Sequence, residues 1–531
     1  MPPQTVHDHA ETASTIRLKW ASTIAEIRTK GYRIPGGAGP AAGHVGRSFT
    51  AGTTLLAKQT QRNNPGPLAI LSAVYEGTQV PFELGVRIEA KYFGQLLSGD
   101  VARNLMRTMF VNKMRADKLA NRPIGVPKTL VRKLGVLGAG MMGSGIAYAG
   151  AAAGMDVTLL DTTLARAEAG KAYSGAVLDK AVARGQSTRE AADVLLARIH
   201  PTAAYGDLAG CQFVIEAVFE SREVKAEVTR LAAAAMDEDA VFGSNTSTLP
   251  ISGLAGAFAR PANFIGTHFF SPVERMPLLE LIVGEATSRA TLARTLDLAE
   301  QLRKTPIVVH DSRGFFTSRT FGSFVKEGLA MLQEGVLPPL IENAARQAGM
   351  PVGPLAATDE VSLDITLKVY DQWLADGVQP AHEPALSIDL TRRMVTELGR
   401  SGKLAGAGFY EYPKEGKKRL WPGLAKLCPP ALTQPDVEEL KLRFLTIQAI
   451  EAARCVEEGV ITDPGDADVG SILGIGYPAW TGGVLSYIDT QGLERFVSTA
   501  QRMSEAYGRR YEPSPWLVQR ALESRRFHAS M

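Results

Sequence analysis

From Val131 to Val309, short apolar runs alternate with alanine-rich amphipathic stretches. KLGVLG, MDVTLLD, CQFVIEAV, AVFGSN, NFIGTHFF, LLELIVG and TPIVVH are each too short for a helix and rich in β-branched or aromatic residues, and helical segments separate most of them. That alternation predicts an α/β, doubly wound, mainly parallel sheet with helices on both faces. After Asp311 the strands stop and long amphipathic helices follow, interrupted by PVGPL, GAGFYEYPKEGKKRLWPG and CPPALTQPD. Upstream, apolar positions between Leu68 and Leu119 recur at helical spacing, until Pro123 and Pro127 break the pattern. The run from Pro35 to Gly43 reads as a loop, and the first thirty residues are polar.

These changes divide the chain into residues 1–128, 129–310, 311–428 and 429–531. The last two resemble each other. Arg319 and the later Glu334-Gly335-Val336 are matched by Arg443 and Glu458-Gly459-Val460, displaced by 124 residues, and Gly349-Met350-Pro351 is matched by Gly476-Tyr477-Pro478, displaced by 127. Two related helical domains packed against each other are expected.

Composition narrows the possible partners. With 531 residues, 45% of them hydrophobic, the chain can build several cores. Its 58 Lys and Arg against 55 Asp and Glu give +3, too even a balance for a nucleic-acid-binding protein. Cys211, Cys428 and Cys455 are too scattered for a disulfide framework or a CxxC metal site, so no metal is expected and a reducing, cytoplasmic location fits. The N-terminus lacks the pattern of a secretory or transit peptide, and Leu134 to Leu160 is too glycine-rich to read as a transmembrane segment.

Chemistry enters at Gly138-Ala139-Gly140-Met141-Met142-Gly143, a GxGxxG between a strand and an alanine-rich helix, with Asp161 ending the next strand. In that setting Gly138 permits the tight turn and Gly140 lets backbone approach a pyrophosphate. Gly143 brings helix and sheet together, and Asp161 accepts hydrogen bonds from a ribose diol but repels a 2′-phosphate. NAD is the expected cofactor. Further on, His268 ends an apolar run, and Glu280 lies twelve residues later within LLELIVG. A carboxylate on an apolar strand needs a partner. Paired with it, His268 becomes a candidate base for removing an alcohol proton as hydride leaves the carbon.

The motifs GVLGAGMMGSGIA, VIEAVFE with Lys225, SNTSTLPI, HFFSPVERMPLLE, DSRGFFTSR, GMPVGPL and GKLAGAGFYEY carry a family resemblance. From about Tyr32 onward the chain resembles the multifunctional fatty-acid oxidation α-subunit, and from Val131 it is similar to the 3-hydroxyacyl-CoA dehydrogenase family. The resemblance implies a Rossmann-like NAD-binding domain followed by two helical domains, the second a degenerate copy of the first. It makes His268 the catalytic base and Glu280 its partner, places Met142, Asp161, Glu220 and Lys225 at NAD, and sets Ser247 against the reacting group of an acyl-CoA substrate. Ser271 and Ser318 stand where many members carry Asn, and a hydroxyl reaches less far than an amide.

Complete α-subunits begin with an enoyl-CoA hydratase domain. Here residues 1–128 resemble only its tail and the linker helix, so hydratase activity is not expected. The resemblance also implies a thiolase β-subunit as partner and an oligomer. Two other readings compete: a β-hydroxyacid dehydrogenase acting on a non-CoA substrate, which the His/Glu pair disfavours because those enzymes commonly use a lysine base, and a structural subunit that docks a thiolase, which the intact motifs disfavour.

Overall fold

The computed structural model describes residues 43–378 and 385–529. The loop expected at Pro35 to Gly43 lies almost wholly outside the described residues. Described residues up to Arg103 form one compact unit, and those from Asn104 form another. The first unit contains helices α1 (Gly43–Thr60), α2 (Gly66–Gly77) and α3 (Phe82–Leu97), and α4 (Asp100–Leu105) runs across the boundary. Gly77 and Gly85 let α2 and α3 approach closely, since a Cβ on Gly85 would lie 3.1 Å from the Gly77 carbonyl oxygen. Leu68, Ile70, Val74, Phe82 and Phe93 all remain exposed, so these helices lack a dry core of their own.

In the second unit a π-helical stretch, Met106–Asn112, leads into α5 (Lys113–Asp117). It and the end of α4 bury polar residues: Asn104 of α4 bonds Thr490, and the Thr108 hydroxyl donates to the Gly482 carbonyl at 2.6 Å. The eight-stranded sheet follows: β1 (Lys133–Leu137), β2 (Asp156–Leu160), β3 (Ile199–Thr202), β4 (Phe213–Glu216), β5 (Val241–Ser244), β6 (Phe264–Phe269), β7 (Leu278–Val283) and β8 (Thr305–His310). Its order is β3-β2-β1-β4-β5-β6-β7-β8. All neighbours are parallel except β6 and β7, which pair antiparallel because only a loop joins them. Val136, Val157, Val214, Ile215 and Phe242 are fully buried, as expected for strands covered on both faces. The covering helices are α6 (Met141–Ala152), α7 (Leu164–Ala183), α8 (Arg189–Ala197), α9 (Arg222–Ala235), α10 (Ile251–Ala255) and α11 (Arg289–Gln301).

The helical part opens with α12 (Thr317–Gln333), α13 (Pro338–Ala348), α14 (Pro354–Val361), α15 (Leu363–Ala375) and α16 (Ala385–Thr396). After a short α17 (Leu424–Leu427) come α18 (Val437–Glu457), α19 (Pro464–Ile475), α20 (Val484–Gln491), α21 (Leu493–Tyr507) and α22 (Pro515–Leu522). The second set repeats the first helix for helix. Gly349 and Gly476 both end their helices in the left-handed region, at φ 110° and 73°. Ser362 and Gly492, 130 residues apart, share φ values of 79° and 83° at equivalent corners. One small hairpin, Tyr410–Glu411 with Arg419–Leu420, interrupts what the sequence pattern gave as helix and loop alone. Its first strand is held by Asp359, whose carboxylate accepts from the Phe409 and Tyr410 backbones at 2.8 Å each.

Candidate active site

The sheet reverses its winding between β1 and β4, and a ligand crevice opens at such a switch point. Gly138, just past β1, has φ 91°, and a Cβ there would lie 2.7 Å from the Ala217 carbonyl. At Gly143 a Cβ would lie 1.7 Å from the Gly138 oxygen, so only glycine lets α6 start this close to the sheet. Nothing lies within 4 Å of a Cβ built on Gly140, the residue capping α6. Gly138 and Gly143 thus have the backbone conformation and the close packing expected of them, and the space beside Gly140 is open.

Asp161 follows β2 and turns back on this loop: Oδ2 accepts from the Ala139 N–H at 2.7 Å, and Oδ1 accepts from the Thr162 N–H at 2.7 Å. Arg166, in the first turn of α7, approaches the same carboxylate at 3.2 Å. Met142 is half-buried against the core beneath the loop, whereas Met141 is exposed and meets the Ser271 hydroxyl through its sulfur at 3.8 Å.

Past β4 lies a buried carboxylate–ammonium cluster. Glu216 ends the strand, and its Oε1 accepts from Lys225 Nζ at 2.8 Å while Oε2 accepts from the Ser244 hydroxyl at 2.7 Å. Lys225 also reaches Glu220 at 3.2 Å. Burial opposes the charge on Lys225, but the two glutamates outweigh it and raise the pKa above the ordinary lysine value. Burial likewise pushes Glu220 upward, yet Lys225 and hydrogen bonds from Thr246 and Ser247 more than offset this and keep it an anion. Glu220 Oε1 accepts from the Thr246 hydroxyl at 2.6 Å and the Ser247 N–H at 3.1 Å. Lys225 is 1% exposed and pairs with both Glu216 and Glu220, and Glu220 in turn holds the loop bearing Ser247. Glu216 escaped the sequence reading, although it was legible by the reasoning applied to Glu280, as a carboxylate on an apolar strand.

His268 on β6 sits directly opposite Glu280 on β7 in the antiparallel register, and Nδ1 lies 2.8 Å from Glu280 Oε2. Glu280 is fully buried. Its Oε1 accepts from the Phe316 and Thr317 N–H groups at 3.1 and 3.0 Å, and its Oε2 accepts from the Thr317 hydroxyl. The first turn of α12 therefore grips the carboxylate that grips the histidine. Phe270 packs on the imidazole at 4.5 Å between ring centroids. Asn245 Oδ1 accepts from the Phe269 N–H at 2.9 Å, tying β6 to the loop that carries Ser247. Ser318, one residue past Thr317, is half-buried at the start of α12. Arg222 and Arg313 both close on Asp376, tying the end of α15 to the segment carrying Glu220. Among the described residues no group of three or more His, Cys, Asp or Glu could hold a metal ion, and no helix is long and apolar enough to cross a membrane.

Comparison with known proteins agrees with this geometry. Residues 133–312 match the family model described as 3-hydroxyacyl-CoA dehydrogenase, NAD binding domain, and residues 314–412 match that of its C-terminal domain. The fatty acid oxidation complex subunit alpha of Shewanella amazonensis is 34% identical over 498 residues, covering 91% of this chain and 68% of that protein. That of Shewanella frigidimarina is 35% identical over 487 residues, covering 90% and 67%. Among solved structures, a 3-hydroxybutyryl-CoA dehydrogenase from Escherichia coli superposes with TM-score 0.64 at 26% identity, over 75% of this chain and 99% of its own. An (S)-3-hydroxybutyryl-CoA dehydrogenase from Ralstonia eutropha gives 0.51 at 36% identity, over 54% and 100%. With these matches over most of its length, the chain belongs to the 3-hydroxyacyl-CoA dehydrogenase family and is an NAD-dependent dehydrogenase.

Proposed function

We propose that this chain oxidises L-3-hydroxyacyl-CoA to 3-oxoacyl-CoA in fatty-acid β-oxidation, with His268 as the base. The observation that carries the reading is the His268–Glu280 pair, buried on adjacent strands and held by three donors from α12. With Nδ1 committed to Glu280, Nε2 is the nitrogen available to a substrate hydroxyl. Bound NAD supplies the acceptor for the hydride leaving substrate C3. His268 takes the hydroxyl proton, and Glu280 orients the ring and stabilises the imidazolium. Gly138, Gly140 and Gly143 shape the loop that would receive the pyrophosphate, Asp161 would meet the adenine ribose, and Met142 underlies them. Glu220, set by Lys225, would lie beside the nicotinamide half. Ser247, Ser271 and Ser318 would bind the substrate's reacting group.

In this reading residues 1–128 are a hydratase-domain tail and linker, 129–310 bind NAD, 311–428 form the first helical domain and 429–531 its degenerate copy. The exposed apolar surface of α1 to α3 supports an oligomer or a partner subunit, for which a thiolase is the candidate, and three buried, unpaired cysteines fit a cytoplasmic site.

The test is spectrophotometric. Purified protein should reduce NAD with 3-hydroxybutyryl-CoA, and His268→Gln should lower kcat by about 10² to 10⁴ while leaving NAD affinity unchanged. A mutant with ordinary kcat refutes the assignment. The described residues 43–128 are helix and loop throughout. The chain should accordingly leave crotonyl-CoA absorbance steady when NAD is omitted, and rapid loss of that absorbance would reveal a hydratase site.

A further inference from the structure

The carboxylate that orients His268 is itself held by the first turn of α12, so whatever fixes that turn reaches the chemistry. Arg319 lies two residues beyond Thr317. Its backbone N–H donates to the Gly314 carbonyl at 3.1 Å, closing the turn. Its guanidinium crosses to the second helical repeat, where Nε meets Glu451 at 2.7 Å and the two terminal nitrogens meet Glu458.

The same arrangement occurs in reverse. Arg443 of the second repeat meets Glu327 and Glu334 of the first. Arg319, Glu327 and Glu334 each map onto Arg443, Glu451 and Glu458 by the displacement of 124. Two copies within one chain thus make a self-complementary contact of the kind identical subunits make across a two-fold axis. Within its own helix each arginine is near the N-terminus, the unfavourable end for a cation, but across the antiparallel pair it reaches the C-terminal end of the other helix, where a cation is stabilised.

The two ends of this contact differ in what they adjoin. At the displacement of 124, Thr317 and Ser318 correspond to Lys441 and Leu442, so the second repeat has the Arg–Glu–Glu set without the residues of a substrate site. The Arg319 clasp adjoins the turn that holds Glu280, whereas its mirror image meets α12 at Glu327 and Glu334, further along the helix.

We propose that Arg319, held by Glu451 and Glu458 of the second repeat, is a positioning residue for the dehydrogenase reaction: it fixes the first turn of α12, and through it the carboxylate that orients His268. The second helical repeat, which supplies no catalytic residue, serves activity through this contact. The inference rests on the assignment of His268 and Glu280 made above.

The mirror clasp provides the control. Arg319→Gln, Arg443→Gln and Arg319→Lys are compared in the full chain, with kcat and KM for 3-hydroxybutyryl-CoA, NADH affinity by fluorescence, and melting temperature. Arg319→Gln and Arg443→Gln each strip a guanidinium from two carboxylates, the Arg443 clasp being the more buried and keeping Arg510 on its glutamates, so a purely structural role predicts melting losses in both and similar kcat per folded molecule. Positioning predicts that Arg319→Gln alone lowers kcat, by about 10- to 100-fold, because small misplacements of catalytic groups carry penalties of that size. NADH affinity should be unchanged, and Arg319→Lys should recover most of the loss. If Arg319→Gln does not fold, Glu451→Gln, which leaves the guanidinium on Glu458, should still lower kcat while Glu327→Gln should not. Equal kcat changes in the mirror pair, or none in either, overturn the proposal. His268→Gln run alongside separates the two failures: a normal rate there removes the base assignment, whereas a collapsed rate there with normal Arg319→Gln removes only the positioning role.

Discussion

In the first helical repeat Glu342 accepts from the Leu355 N–H at 2.8 Å, the Ala356 N–H at 3.4 Å and the Tyr410 hydroxyl at 2.7 Å. In the second, Asp468 accepts from the Leu485 and Ser486 N–H groups at 2.8 and 3.2 Å, from the Ser486 hydroxyl at 2.6 Å, and pairs with His528 at 2.7 Å. Asp359 caps the Phe409 and Tyr410 backbones, and Asp489, 130 residues on, caps Phe527 and His528. Burial pushes both of these aspartates above the ordinary carboxylate pKa. Two segments with little side-chain identity are thus each held by two buried carboxylates at corresponding places, one answering orphan donors at a helix start and the other the backbone of a later segment. What differs is confined to the edges. The first repeat presents the turn with Thr317 and Ser318 to β7, whereas the second presents α19, whose Gly474 lets it lie against the same strand: a Cβ there would come within 2.5 Å of Leu278, with Phe270 beside it at 3.4 Å. The first repeat bonds Glu280 on β7, and the second packs against the same strand.

The largest expected difference between them is electrostatic. At the displacement of 126 that relates Glu342 to Asp468, Leu340 corresponds to Asp466, so the second repeat buries a carboxylate where the first has an apolar side chain. Asp466 accepts from the Asn121 amide at 2.8 Å and the Val308 N–H at 3.1 Å, joining α19 to the linker and to β8. Burial first, and then the charge of Asp463, push its pKa from 3.8 up to about 7, against those two hydrogen bonds. A raised pKa means that the native state binds the extra proton. The stabilisation is therefore complete below pH 4 and is lost as pH rises through about 7. Over that span it amounts to on the order of 4 kcal/mol. Asp466→Asn, which keeps an acceptor oxygen, should flatten the stability profile between pH 4 and 8, as read by urea unfolding. Unaltered curvature in the mutant would show that Asp466 stays ionised throughout.

Next comes the shared scaffold. Glu342→Ala and Asp468→Ala each leave two backbone donors buried without a partner, and each should cost about 3 kcal/mol. Similar losses in chemical denaturation would support equivalence of the repeats. A marked excess at Glu342 would show that the first repeat depends on its cap more than the second does.

The amino-acid sequence disclosed this architecture unevenly, for physical reasons. Seven strands were legible because they are buried on both faces and read as continuous apolar runs. The eighth, Ile199–Thr202, is an edge strand containing Pro201 and has only Ile199 fully buried, so it lacks that signature. The π-helical stretch left no mark, because its buried residues are Thr108 and Asn112 rather than an apolar stripe. The repeat showed through Arg–Glu-Gly-Val, but spacing alone does not say which partner a charge will find, and Glu327 and Glu451 resemble residues of a solvated helix face. In the site, glycine spacing, Asp161, His268 and Glu280 carry their chemistry in their type and position. Thr317 does not, because its role in holding Glu280 depends on how α12 meets β7, a tertiary contact.

The smallest effect tests where the two repeats diverge in function. Ser318→Leu gives the first repeat the residue that the second has at Leu442, and Leu442→Ser makes the reverse exchange. Ser318 opens α12 beside the turn that holds Glu280, where a hydroxyl can bond the substrate and an isobutyl group can only fill space. Losing one such hydrogen bond in a water-poor site is worth about 1 to 3 kcal/mol, so kcat/KM for 3-hydroxybutyryl-CoA should fall by about 10- to 100-fold with NAD affinity intact. Leu442 is a partly buried side chain packed on the helical core, and its replacement should lower the melting temperature while leaving kcat/KM per folded molecule unchanged. A loss of activity from Leu442→Ser as large as that from Ser318→Leu would mean that the second repeat contacts substrate directly. An active Ser318→Leu enzyme would remove the hydroxyl from the substrate site and leave His268, Glu280 and Ser247 to account for the chemistry.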